Sequence, residues 1–158
     1  MNYWLMKTEP SVFSFDDLVK APKRTTHWEG VRNYQARNIM RDQMKVGDRA
    51  FIYHSGIDEP CIAGVAEIVR EGYPDDSALD RKSKYYDPDA AKKGASPWAL
   101  VDVKAIERFA TPVGRTQLKN EAALKDMMVL KKGARLSVQP VTAAEFKKIL
   151  ALGKPTKL

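Results

Sequence analysis

Alternating apolar and polar positions with a high aromatic content mark Asn2-Tyr3-Trp4-Leu5-Met6-Lys7 as a strand. Glu9-Pro10 ends it, because the residue before a proline is pushed out of the helical region. Ser14 with Asp17 three residues on, then Leu18 and Val19, reads as a capping box opening a short helix that stops before Pro22. Tyr34, Ala36, Ile39, Met40 and Met44 recur at helical spacing and predict a second helix from about Asn33 to Met44. Lys45-Val46-Gly47-Asp48 is a turn. Arg49 to His54 then alternates, with Phe51 and Tyr53 on one face and Ile52 and His54 on the other. Ile62 to Arg70 is a further strand, in which Gly64 marks a bulge or a close backbone approach. Residues 71–97, with Pro74, Pro88 and Pro97, form the longest irregular stretch. Trp98 to Phe109 is a long strand, 115–126 reads as helical, and Arg135 to Val138 is a short strand ended by Pro140. Thr142 with Glu145 caps a final helix over 143–152, with Gly153 as its stop.

Irregularly spaced strands with short helices between them fit an α+β domain around a small mixed sheet or barrel. They do not fit the regular alternation of a doubly wound fold. No repeat, low-complexity segment or long linker divides the chain, so 1–158 is expected to be a single domain. An apolar content of 44% excludes disorder as a class. The one cysteine, Cys61, excludes an internal disulfide and a paired-cysteine zinc site; it sits in an apolar run and reads as a small core residue. No apolar run is long enough for a signal peptide or a membrane span, so the expected location is cytoplasmic, or nuclear in a eukaryote, without membrane contact.

Charge changes the picture more. The net +7 is uneven: residues 1–50 hold nine Lys/Arg against six acids, 51–103 six against ten, and 104–158 twelve against four. Basic ends around an acidic middle fit a surface with one positive face, which attracts phosphate.

The familiar catalytic motifs are missing: no dinucleotide glycine pattern, phosphate loop, HExxH or GxSxG. No metal or cofactor is expected. Tyr53, His54, Ser55 and Lys7 are the candidate chemistry for an enzyme acting on a modified nucleotide. Neighbours on a strand point to opposite faces, however, and no third residue orients a base. A non-catalytic role is therefore expected. A third reading makes 71–97 a docking surface for a protein partner; the same segment also reads as a lid.

The aromatics carry more information. Trp4, Trp28 and Trp98 lie beside polar or charged residues. Stacking a base on such a ring contributes ~1–3 kcal/mol. Reading its identity then needs edge contacts, for which Asn33, Ser55, Ser137 and Gln139 are available.

Four segments converge on one family. They are Tyr3-Trp4-Leu5-Met6-Lys7-Thr8-Glu9-Pro10, then Trp28-Glu29-Gly30-Val31-Arg32-Asn33-Tyr34-Gln35-Ala36-Arg37-Asn38, then Met44 to Asp48 with Tyr53-His54-Ser55, and last Arg135-Leu136-Ser137-Val138-Gln139-Pro140-Val141. In order and over almost the whole chain, they resemble the EVE domain. Phe13 and Phe15 depart from its usual tyrosine and aliphatic, and Gly56 stands where asparagine is expected. The resemblance implies a PUA-like mixed β-barrel with inserted short helices and a C-terminal helix, related to ASCH and YTH domains. It also implies a binding module for nucleic acid, DNA or RNA, carrying a modified base such as a modified cytosine; a monomer is expected, though the sequence does not fix the oligomeric state. On that reading Trp28, Trp98, Asn33, Tyr53, His54, Ser55, Ser137 and Gln139 form the base pocket, and Lys7, Arg32, Arg37 and Arg135 hold phosphates.

Overall fold

The computed structural model describes residues 1–158. The chain runs β1 (Tyr3–Thr8), α1 (Phe15–Lys20), β2 (Thr25–His27), α2 (Tyr34–Asn38), β3 (Arg49–His54), β4 (Cys61–Pro74), α3 (Pro88–Lys93), β5 (Ala99–Gly114), α4 (Arg115–Lys119), β6 (Val138–Val141), α5 (Ala143–Gly153) and β7 (Pro155–Lys157). All seven strands join one mixed sheet in the order β2-β5-β4-β3-β1-β6, with β7 laid against β5. The β1–β3 pair is parallel and the remaining pairs are antiparallel. The pairing path ends at β2 and β6, so the architecture on view is a mixed α+β sheet with short helices and a C-terminal helix.

Alternation along the strands divides the apolar residues between two cores. Trp4 and Met6 of β1 and Ala50 and Ile52 of β3 join Phe15, Leu18, Trp28 and Met40 on one face. Leu5, Phe51 and Tyr53 join Phe109, Phe146 and Ile149 on the other. Local signals set the helix starts. Ser14 Oγ accepts from Asp17 N at 3.0 Å while the Asp17 carboxylate accepts from Ser14 N at 2.8 Å. Thr142 and Glu145 repeat the arrangement at 3.1 and 2.9 Å. The turn before β3 is organised by the buried Asp48, whose carboxylate accepts from Trp4 Nε1 at 2.9 Å and from the backbone N–H of Asn2 and Lys45 at 3.0 Å each.

Several elements differ from expectation, each for a visible reason. The second helix is one α turn followed by a five-residue π turn, closed by Met44 N donating to Ile39 O at 3.0 Å. This turn packs tightly on β4: a Cβ on Gly72 would meet Arg41 Cα at 2.8 Å. Helix 115–126 shortens to α4 and continues as single 3-10 turns at 122–124 and 128–130. The last sheet strand starts at Val138 and contains Pro140 instead of ending at it; β6 is an edge strand, where a missing N–H is tolerated. Gly153 lies inside α5, not beyond it; a side chain there would meet the Phe109 ring at 2.3 Å, so the residue serves packing and not the helix stop. The stop is Lys154, in the left-handed region at φ 50°. The irregular 71–97 stretch holds the end of β4, a 3-10 turn at 76–79 and α3.

Gly64 is the close approach that its place in a strand predicts. The β4–β5 register shifts beside it, and an added Cβ would lie 2.4 Å from Phe15 Cζ and 2.6 Å from Glu107 O. The second contact is backbone and cannot swing away. Gly64→Ala is therefore expected to destabilise the fold by about 1–3 kcal/mol, the range for overpacking a core, measured as a lowered urea midpoint.

Candidate functional site

The loop after β1 and the segment from β2 to Val31 face each other across a cleft of about 540 Å³. That is the size range of small-ligand sites. One wall is aromatic: Trp28 is 7% exposed, and Phe13 meets it edge-on at 6.3 Å and 89°. Tyr85 stands on the rim. Glu9 and Glu29 supply carboxylates, Lys7, Arg32 and Lys84 supply charge, and Thr8, Thr26 and Ser137 supply hydroxyls.

The three tryptophans separate here. Trp4 donates its indole N–H to Asp48, and Trp98 donates its own to Asp87 Oδ2 at 2.9 Å. That donation is the main reason the Asp87 carboxyl sits below the usual carboxylate range. Trp28 Nε1 has no acceptor in the protein, and no buried polar side-chain atom is left unpaired, so this N–H remains accessible at the cleft. Trp98 forms a small separate cluster with Ala78 and Ala90 and packs against Tyr34 at 4.7 Å. It anchors the 75–98 segment and does not line the cleft, so the structure does not bring Trp98 together with Trp28 in one pocket.

Arg32 reaches the cleft but is not a free phosphate contact. Its Nη1 donates to Asp75 Oδ2 at 3.0 Å, and its Nη2 to Tyr85 O at 2.8 Å and Ser77 Oγ at 3.3 Å. The guanidinium lies over the Trp98 and Tyr85 rings at 5.4 and 5.7 Å. Burial alone would raise the Asp75 carboxyl pKa; hydrogen bonds from Ser77, Arg32 and Gly30 N outweigh it and hold the pKa low. Arg32 thus clasps the acidic segment to the Trp28–Val31 wall and presents Tyr85 at the rim. Gly30, at φ 86°, is required beneath that ring, since a Cβ would lie 2.4 Å from it.

Of the residues expected at the site, Trp28, Ser137, Lys7 and Arg32 line the cleft. Lys7 Nζ donates to Ala134 O at 3.3 Å; burial, then the Arg115 charge, lowers its pKa. The others do not line it. Asn33 Oδ1 caps α2 by accepting from Ala36 N at 3.0 Å. Tyr53 is buried in the core on the opposite sheet face. Ser55 extends the β1–β3 pair, donating its N–H to Thr8 O at 3.0 Å. Gln139 is buried, with Nε2 donating to Leu136 O at 2.8 Å. Arg37 donates to Pro97 O at 2.6 Å and to Asn38. Arg135 is exposed, two residues from the cleft-lining Ser137 but not in the cleft. Glu9, Phe13, Glu29 and Tyr85 are cleft residues that sequence reasoning passed over. Glu9 and Glu29 stand inside the family-like segments, and Tyr85-Tyr86 is the aromatic pair of an otherwise polar stretch.

His54 is a structural acceptor. Its Nε2 accepts from Phe15 N at 3.0 Å, which requires the neutral ring with the proton on Nδ1. Burial pushes its pKa below 6.5, and Asp16 offsets part of that effect. Since the folded pKa is the lower one, this contribution to stability is complete above pH 6.5 and is lost as pH falls through the folded pKa. The melting temperature is expected to drop on acidification from pH 7.5 to 5, and His54→Gln is expected to flatten that drop. A variant with the full wild-type slope would exclude His54 as its source.

No cluster of three or more His, Cys, Asp or Glu residues is placed to hold a metal ion, and no helix is long and apolar enough to cross a membrane.

Comparison with known proteins places this geometry in context. The EVE domain family matches residues 2–152. Human thymocyte nuclear protein 1 is 40% identical over 168 residues, covering 96% of this chain and 73% of its own. A crystal structure of human THYN1 protein in complex with 5-methylcytosine-containing DNA superposes with a TM-score of 0.87 at 41% identity, covering 98% of each chain. A mutant of the ASCH protein of Zymomonas mobilis shares the fold more distantly, with a TM-score of 0.52 at 11% identity over 96% of this chain and 99% of its own.

Proposed function

The chain belongs to the EVE domain family, and from that premise we propose that it is a non-catalytic DNA-binding module whose cleft receives a 5-methylated cytosine. The observation that carries the reading is that the unspent Trp28 N–H and the Glu9 carboxylate, which has no hydrogen-bond partner, line one aromatic-walled cleft, where Glu29 lies 3.4 Å from His27 Nε2. The complex of the human relative with 5-methylcytosine-containing DNA supports the ligand class. The long bulged strands β4 and β5, with the likeness to an ASCH protein, support reading the sheet as a PUA-like barrel.

The chemistry fits a cytosine edge. Its exocyclic N4 amine is a donor, and carboxylates accept from it. Glu9 or Glu29 takes that role. The O2 and N3 acceptors need donors, and Trp28 Nε1, the Ser137 hydroxyl and Lys7 provide them. Phe13 and Val12 give the 5-methyl group an apolar contact. Thymine shares that methyl but presents an acceptor at position 4, which faces a carboxylate unfavourably. A base inside a duplex must leave the stack to enter, at a few kcal/mol.

Fluorescence anisotropy with oligonucleotides that differ at one base tests this. Burying the methyl contributes ~0.8 kcal/mol, so 5-methylcytosine should bind about 4-fold tighter than cytosine or better. Thymine at the same position should bind more weakly than 5-methylcytosine. Equal affinity for all three would remove the reading.

A further inference from the structure

A second feature lies on the sheet face that carries Phe51 and Tyr53, where Arg24, Arg49, Lys104 and Lys157 line a shallow groove with Ile106, Glu107 and Leu158. These residues are far apart in sequence and are brought together by strand pairing. Lys104 sits opposite Thr25 on one side and Glu67 on the other, Glu67 sits opposite Arg49, and Lys157 pairs with Glu107. Paired residues share a face, so the cations form a band across the sheet. The only acid bonded to any of them is Glu67, 3.7 Å from Arg49. Arg24, Arg49 and Lys104 are half-buried. Four cations face two acids there, Glu67 and Glu107, so the groove keeps a net positive charge that attracts phosphate.

Strand β2 runs from the groove to the cleft, with Arg24 just before it lining the one and Thr26 and His27 lining the other. His27 borders the cleft and lies on the same face of β2 as Thr25, opposite Asp102 and Lys104 respectively. Two residues of strand cover about 7 Å, and the stretch from Arg24 to Trp28 about 13 Å. Along a duplex axis, 13 Å is about four nucleotides of one strand. Lys23 and Arg24 both hold φ at 55°, a conformation uncommon for such residues, and it turns the chain sharply into β2 just at the groove.

We propose that this groove is a phosphate track: the DNA strand whose base enters the cleft continues along β2 and lays its backbone on Arg24, Arg49, Lys104 and Lys157. The inference rests on the DNA-binding reading above and adds to it where affinity, as opposed to base choice, arises. Phosphate contacts position a protein without carrying sequence information.

The test is the salt dependence of binding to a duplex carrying one 5-methylcytosine and to its unmethylated twin. Each phosphate contact contributes about 0.9 to the slope of log affinity against log salt. The double variant Arg24→Ala, Lys104→Ala should lose about two contacts' worth of slope and bind both duplexes more weakly by the same factor. The methyl preference should be untouched. A matched variant, Lys92→Ala with Lys93→Ala on exposed α3, removes the same charge elsewhere and should keep the wild-type slope. An unchanged slope in the Arg24/Lys104 variant, or an equal loss in both variants, overturns the track. A wild-type protein with no methyl preference overturns the cleft reading instead, and one that binds neither duplex overturns both.

Discussion

Trp28→Ala is expected to weaken binding to 5-methylcytosine-containing DNA by roughly 5- to 150-fold, the equivalent of the ~1–3 kcal/mol that a stacked aromatic contributes. The ring also belongs to the core, so the same change costs stability of about 3–5 kcal/mol. Trp28→Phe separates the two effects. It keeps an aromatic surface and most of the packing but removes the indole N–H, so it should lose methylcytosine affinity while melting closer to the wild type. Trp98→Phe provides the contrast. It breaks the bond to Asp87, 2.9 Å long, and should loosen the 75–98 segment with a smaller effect on base preference. A loss of affinity confined to the Trp98 variant would move the base to the other tryptophan.

Arg32→Ala is expected to cost about 3–5 kcal/mol of stability, because it strands a buried carboxylate. The Asp75 side chain is 1% exposed, against 24% for Arg32, so water cannot replace the missing charge. For a domain of this size that loss corresponds to a drop of roughly 6–20 °C in melting temperature. Arg32→Lys should rescue little, since a single ammonium cannot reach Asp75, Ser77 Oγ and Tyr85 O together. Adding Asp75→Asn to Arg32→Ala should recover part of the loss by removing the stranded charge. Hydrogen exchange should speed up in residues 75–98 while β1 and β3 keep their protection. With the Tyr85 rim released, DNA binding should weaken as well. A single Arg32→Ala variant that melts like the wild type would show that the clasp carries little energy.

How much could be read in advance depended on the range of the interactions involved. The Ser14–Asp17 and Thr142–Glu145 boxes were legible because each closes over three residues. The face assignment of β3 was legible because strand alternation is local. Strand Thr25–His27 was not, since three polar residues carry no alternation and only the partners at 102–104 make them a strand. The tryptophans were indistinguishable for the same reason. Each is an aromatic beside polar residues, and what separates them lies far away: Asp48 for Trp4 is 44 residues off, and Asp87 for Trp98 is 11. Arg32 looked like a phosphate contact because a cation inside a motif is ambiguous until its acceptors, 43 to 53 residues downstream, are placed. Asn33 carries a local signal for its cap, since an asparagine three residues before Ala36 stands at a helix start. The family-like segments supply the cleft residues Lys7, Glu9, Trp28, Glu29, Arg32 and Ser137, but which of their side chains face the cleft is set by contacts distant in sequence.

The claim that the Trp28 cleft holds the modified base can be tested through the three indole N–H resonances, assigned by single Trp→Phe substitutions. During titration with a 5-methylcytosine oligonucleotide, the Trp28 signal should shift strongly while those of Trp4 and Trp98, already bonded to Asp48 and Asp87, stay nearly in place. The unmethylated oligonucleotide should give a smaller shift at equal concentration. A bound complex in which the Trp28 resonance does not move, or in which Trp98 alone responds, would contradict the assignment.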